Sequence, residues 1–292
     1  MRYGVSNSYW SKDWESTDYP QKIERVRKCG LDVFEIFYGR LFTMDQKEVD
    51  DIKAACKAND VEIYCTGGLG MDNDPSAVDP AVRKNAVKFA QDLIKAINRV
   101  GSKNFSGINY SAWCDFDKPE LKPERTEFAA QSLKEIAKTA ADYDVSWNME
   151  VVNRFESFML NTAEEARALA DMVDSPNVNI LLDIFHGMIE EDDLAKAVHI
   201  AGDRLGHYHV GANNRKLPSP GGFLPWAEVG KALRDIGYNK SVSFEPLVHT
   251  GGTVALEGGS VWREMLPAGI SDDDMDKMLM ESLAFIKENF EA

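Results

Sequence analysis

Four charged or imidazole groups interrupt four runs that are otherwise apolar: Glu150 in SWNMEVV, Asp183 in NILLDIFH, His209 in GHYHVG and Glu245 in SVSFEP. Removing an isolated carboxylate from water costs several kcal/mol, so three carboxylates that converge require a compensating cation. Taken singly, Glu150 or Glu245 could pair with an arginine, and His209 could be a satisfied core histidine. Taken together they form an oxygen-rich donor set. Such a set suits Mn²⁺, Co²⁺ or Mg²⁺ better than a thiolate-type zinc site does. Four protein ligands around an ion that prefers about six leave roughly two positions for water or substrate oxygens.

A second layer of polar residues follows these four. Glu156 lies six residues after Glu150 in VVNRFES, His186 three after Asp183, and Arg215 six after His209 in HVGANNR. Each could be a solvated loop residue. As a set they offer one acceptor and two donors around a polyhydroxylated ligand, and Arg215 keeps its charge at neutral pH. Trp10, Trp14 and Trp113 could form an apolar wall for a sugar, with core packing as the alternative for each. Cys29, Cys56, Cys65 and Cys114 contain no CxxC pair and read as free thiols. Cys65 and Cys114 fall near predicted strand ends, where they could line a pocket.

The elements that must position these residues alternate from end to end. Short β-branched or aromatic runs span Arg2 to Ser6, Asp32 to Phe37, Val61 to Thr66, Asn104 to Ile108, Ser146 to Val151, Val178 to Asp183, Leu205 to Val210 and Ser241 to Glu245. Longer amphipathic segments separate them, the pattern of repeated βα units. Eight such units without a composition break predict an α/β fold, a single (β/α)8 TIM barrel over residues 1–292. In such a barrel the carboxyl ends of the strands form the active face, and the four candidate ligands all sit at strand ends.

Helix signals agree with this reading. Asp79-Pro80 caps a stripe of Val82, Ala86, Phe89, Leu93, Ile97 and Val100; Thr162 with Glu165 reads as a capping box; Ser271 with three acidic residues opens the last helix. The glycine-rich stretch Gly251 to Gly259 reads as a loop, and the last helix with the apolar residues of Val254 to Leu266 as a candidate interface.

Charge narrows the partners. With 33 Lys+Arg against 48 Asp+Glu the net charge is −15, which argues against nucleic acid and against anionic membrane surfaces. There is no apolar run long enough for a signal peptide or a membrane span, so the cytoplasm is the expected compartment.

The segments MEVVNRFE, LLDIFHG, HYHVGANNR and FEP, with SYW near the amino terminus and the late VWRE, resemble the ketose 3-epimerases of the D-tagatose and D-psicose (D-allulose) 3-epimerase family, within the xylose-isomerase-like barrels. The resemblance runs over essentially the whole chain. It implies that Glu150, Asp183, His209 and Glu245 are metal ligands and that Glu156, His186 and Arg215 contact substrate. It also implies one Mn²⁺ or Co²⁺ ion and a homodimer or homotetramer acting on a small ketose. One departure is visible: Ser6-Asn7 stands where the family usually carries an aromatic residue, which bears on the preferred ketose.

Epimerisation at C3 needs an acid/base group on each face of that carbon, and Glu150 and Glu245, three strand positions apart around the ring, are the expected pair. An aldose–ketose isomerase, an inosose dehydratase, a C-glycoside deglycosidase or a non-catalytic sugar-binding barrel would share the four ligands. A metal-dependent DNA-repair endonuclease of the same barrel type is disfavoured by the acidic charge and by the few histidines at strand ends.

Overall fold

The computed structural model describes residues 1–292. Its strands are β1 (Arg2–Ser6), β2 (Val33–Phe37), β3 (Glu62–Thr66), β4 (Asn104–Gly107), β5 (Ser146–Val151), β6 (Val178–Asp183), β7 (Leu205–Val210) and β8 (Ser241–Phe244). They pair in sequence order, all in parallel, and β8 closes on β1. The expected strands differ from these by a residue at one end in four cases. The most consequential is β8, which stops before Glu245. Its ladder reaches one residue further, because the Glu245 N–H donates to the Val210 carbonyl at 3.1 Å. Glu245 therefore keeps the alternation that turns Ser241 and Ser243 inward.

Helices α1 (Tyr19–Lys28), α2 (Gln46–Asn59), α3 (Pro80–Arg99), α4 (Lys122–Tyr143), α5 (Ala163–Val173), α6 (Ile184–Glu190), α7 (Leu194–Ala201) and α8 (Trp226–Asp235), with the final helix Asp272–Glu291, surround the strands. None is long and apolar enough to cross a membrane. In α3, Asp79 caps Ala81 N–H, and Ala86, Leu93 and Ile97 are buried while Val82 and Phe89 are half-buried. Ser271 caps the final helix through Asp274 N–H, and Met275, Leu279, Leu283 and Ile286 face the core.

Two local expectations are corrected. Only half of the expected capping box forms: Thr162 accepts from Glu165 N–H, but the Glu165 carboxylate takes the N–H of Asn161 instead of that of Thr162. Gly251–Gly259 is not an open loop. Gly252–Val254 makes a helical turn that runs on into Ala255–Gly259, with Gly251 and Gly252 at positive φ bending the chain into it and Gly258 at positive φ kinking its end.

The barrel interior beneath the strand ends is polar, where Val, Ile and Leu layers are the usual filling. Ser106 Oγ donates to Asn104 Oδ1 (2.7 Å), Asn148 Nδ2 to Ser106 Oγ (3.1 Å), Ser146 Oγ to Asn148 Oδ1 (2.8 Å) and Asn179 Nδ2 to Ser146 Oγ (3.0 Å). Ser241 Oγ crosses to Tyr64 Oη at 2.9 Å. These bonds link β4, β5 and β6 on one side and β8 to β3 on the other, which fixes side-chain directions below the site, while the inward Ser243 Oγ has no partner.

Candidate active site

The four expected ligands meet at the carboxyl end of the barrel. Their ligand atoms, from Glu150, Asp183, His209 and Glu245, all lie within 4.8 Å of one another. Asp183 ends β6 and also caps α6, its Oδ1 accepting Phe185 N–H at 2.8 Å and its Oδ2 left for the site. His209 Nδ1 stands 3.3 Å from Glu245 Oε2 and 4.0 Å from Glu150 Oε1. It is buried without a hydrogen-bond partner. An orphaned imidazole nitrogen facing three carboxylates matches the donor set of a divalent cation.

Arg215, held at φ +59°, directs Nη1 to Asp183 Oδ2 at 2.5 Å and Glu245 Oε2 at 3.0 Å. Its guanidinium carbon lies 4.2 Å from the centre of the Phe185 ring. The arginine thus supplies the positive charge that two of the carboxylates need. Burial alone would raise the Asp183 pKa, but the Arg215 guanidinium, with His186 and His209, outweighs it and holds that carboxyl down to about 2. Glu150 goes the other way: burial and the neighbouring Glu245 push its pKa well above the usual carboxylate range. Without a cation the two carboxyls thus shift in opposite directions, Asp183 down beside Arg215 and Glu150 up.

The second layer lies where expected. Trp113 Nε1 donates to Glu156 Oε2 at 3.1 Å, so the indole holds the carboxylate as well as forming wall. His186 Nδ1 accepts from the Asn153 backbone (3.2 Å) and lies 2.7 Å from Asn153 Nδ2. With Nδ1 accepting the Asn153 N–H, the neutral ring carries its proton on Nε2, 3.7 Å from Glu150 Oε1; Arg215 Nη2, 3.3 Å from Nε2, is then a neighbouring donor and not a hydrogen-bond partner. Burial lowers the His186 pKa, favouring this neutral donor form.

These groups border a cavity of about 430 Å³ walled by Trp14, Phe37, Trp113, Phe155 and Phe185. Gly258 closes it from above: at φ +126° a Cβ there would stand 2.1 Å from the Trp113 ring. Trp10 is not part of the wall. Its Nε1 donates to Asp276 at 3.1 Å and its ring packs on Tyr9 and Phe34. Cys114 borders the cavity but Cys65 does not, because strand alternation sends Tyr64 and Thr66 inward and Cys65 outward, where it is fully buried.

Sequence reasoning missed three buried residues here. Glu35 on β2 reaches across the barrel to both His207 and His209, and Asn153 sets the His186 tautomer. Glu35 carries the signal that marked Glu150, a carboxylate inside an apolar run (VFEIF), but it lies mid-strand and not at a strand end.

Residues 23–270 match the model of the xylose isomerase-like TIM barrel family. The chain is 38% identical to a D-psicose 3-epimerase of Ruminiclostridium cellulolyticum over 98% of this chain and 96% of that protein. It is 34% identical to the D-psicose 3-epimerase of Agrobacterium fabrum over 98% of each. The crystal structure of D-psicose 3-epimerase with D-tagatose from Clostridium cellulolyticum H10 superposes with a TM-score of 0.94 over the whole of both chains at 37% identity. Closed barrel, converging carboxylates and full-length similarity agree, and the chain belongs to the ketose 3-epimerases, isomerases of the xylose isomerase-like TIM-barrel family.

Proposed function

We propose that the protein inverts C3 of a free ketose, interconverting pairs such as D-fructose and D-psicose or D-tagatose and D-sorbose, with Glu150 and Glu245 as the acid/base pair. The observation that supports this reading is that Glu150, on β5, and Glu245, just beyond β8, bring carboxylate oxygens within 4.8 Å of each other and of the Asp183 and His209 ligand atoms. Glu150, Asp183, His209 and Glu245 would hold one divalent ion, Mn²⁺ or Co²⁺ with Mg²⁺ also compatible with the oxygen-rich set. When bound, that ion supplies the charge that acidifies a C3–H beside the C2 carbonyl.

One glutamate takes the C3 proton, and the bonding pair moves into the C2–C3 bond of an enediolate. The other glutamate, protonated, then delivers its proton to the opposite face of C3. His186 Nε2–H and Arg215 donate toward O2 and its neighbours, stabilising negative charge where it develops. Glu156, fixed by Trp113, accepts from the O1 end of the sugar. The aromatic wall covers the apolar face of the ketose and excludes water.

The protein is also read as a homodimer or homotetramer. Leu256 and Trp262, 67% and 73% exposed on the 254–266 segment, support a second copy docking there. Replacing both by serine is expected to lower the mass measured by light scattering.

The deciding experiment is incubation of D-fructose with the Mn²⁺-loaded protein in D₂O. Deuterium at C3 of both epimers is the expected outcome. Label at C1 or C2 would instead assign aldose–ketose isomerisation, and tight ketose binding without exchange would assign a sugar-binding barrel.

A further inference from the structure

His209 has two ring nitrogens with different surroundings. Nδ1 faces Glu150, Asp183 and Glu245 and has no hydrogen-bond partner. Nε2 lies 3.1 Å from Glu35 Oε2. The other Glu35 oxygen, Oε1, lies 2.5 Å from His207 Nε2. Glu35 is 1% exposed and both histidines are fully buried. Since β2 and β7 are not neighbours in the ring, this carboxylate reaches across the barrel interior, beneath the site and opposite the strands that carry it.

We propose that Glu35 is a positioning residue: its carboxylate holds the Nε2–H of His209 so that Nδ1 presents its lone pair to the cation site. The inference rests on the metal-dependent reading above. A neutral imidazole that binds a cation through one nitrogen must carry its proton on the other, and a carboxylate accepting that proton fixes the ring plane and makes the ring a stronger donor. Glu35 is suited to this because it cannot turn. Each of its oxygens is engaged by a different histidine, and His207 is itself packed edge-on against Tyr64, with ring centres 5.4 Å apart. Glu35, His207 and His209 could in principle form a cation site of their own. The geometry opposes it: both Nε2 atoms are already spent on the carboxylate, leaving His207 Nδ1 as the one nitrogen without a partner that this group does not share with the main site.

The test titrates MnCl₂ into the metal-free protein by calorimetry, with no sugar present. Glu35→Gln keeps the size of the side chain and removes its charge. The Mn²⁺ Kd is expected to rise by about tenfold or more, and the visible spectrum of the Co²⁺-loaded variant is expected to shift. At Mn²⁺ concentrations that saturate the variant, KM for D-fructose should stay within about twofold of wild type, which a general loosening of the cavity would not allow. A Kd raised less than tenfold, or a raised KM with an unchanged Kd, overturns the proposal. Wild-type protein that binds neither Mn²⁺ nor Co²⁺ would overturn the metal reading beneath it, a result distinguishable from equal binding by both proteins. Should Glu35→Gln fail to fold, ¹⁵N-histidine spectra of the Mg²⁺-loaded wild type decide. The resonance absent from His209→Asn should show a one-bond Nε2–H correlation, and an Nδ1–H correlation in its place overturns the assignment.

Discussion

Glu150 and Asp183 lie a few ångströms apart and titrate in opposite directions, and that contrast defines how the site can work. Asp183 is tied to Arg215 at 2.5 Å and stays ionised, so its role is fixed charge. Glu150 has no such partner and holds a proton readily. Glu150→Gln should therefore lower turnover by about a thousandfold in saturating Mn²⁺, within the 10²–10⁴ that a positioned acid/base group contributes. Near-normal epimerisation by that variant, followed by chromatography, would remove the two-carboxylate scheme. Protons also oppose the ion. Burial disfavours charge on His209, but Glu35 and Glu245 outweigh it and raise its pKa, while burial raises that of Glu150. Both groups must give up protons when a cation binds, so affinity should tighten as pH rises from 6 to 8. Calorimetry in two buffers of different ionisation enthalpy would count the protons released, and a pH-independent Kd would contradict the assignment. At this scale the sequence was legible wherever a charged residue ended an apolar strand. Glu35 escaped notice because nothing in VFEIF indicates that its side chain crosses the barrel to meet a histidine 172 residues away.

Strands and helices were legible for a different reason: each is specified by local period and caps, and those signals survive in the fold. Register was not. Ile180 pairs with Leu205 but Leu181 with His207, so Gly206 is an extra residue on β7. His207 and His209 share the inward face by strand alternation, and the bulge sets them beside Leu181 and Asp183 of β6, a register that no feature of GHYHVG announces. The space for it is small. A Cβ on Gly206 would stand 2.0 Å from Asn148 Oδ1 and 2.7 Å from Asn179 Cβ, inside the hydrogen-bonded floor. Gly206→Ala should accordingly destabilise the protein by about 1–3 kcal/mol, the usual cost of overpacking, seen as a lower midpoint in urea. A midpoint equal to wild type would mean that Asn148 moves aside without loss. The loops that carry the cavity wall are tied by an equally non-local device. Arg125 of α4, 3% exposed, binds Asp74 at 2.5 Å and Asp115 at 2.7 Å, joining the segments after β3 and β4. Such pairs are invisible to periodicity because they depend on which loops the barrel brings together.

The whole molecule carries −15 charges, and two kinds of cation can relieve them in separable ways. Charges spread over the outer helices repel weakly through water, and salt screens them: the Debye length falls from about 30 Å at 0.01 M to about 10 Å at 0.1 M. The site is different, because Glu150 and Asp183 are buried and Glu245 half-buried at the ends of β5, β6 and β8, where salt screens them less. With the three ionised and Arg215 beside them, the local charge is −2, which one divalent ion matches. The four proposed ligands come from successive strands, β5 to β8, so an ion held there would bind the folded barrel and not the unfolded chain. Mn²⁺ at a hundred times its Kd should then add about 2.7 kcal/mol of stability. For a chain of this size that corresponds to a Tm higher by about 5 °C than in EDTA. Sodium chloride should also raise Tm at low ionic strength, by screening, and that contribution should level off by about 0.2 M. The Mn²⁺ increment should persist at 0.5 M NaCl, measured by calorimetry at matched ionic strength. An increment that vanished with salt would place the ion on the acidic surface and not at the barrel mouth.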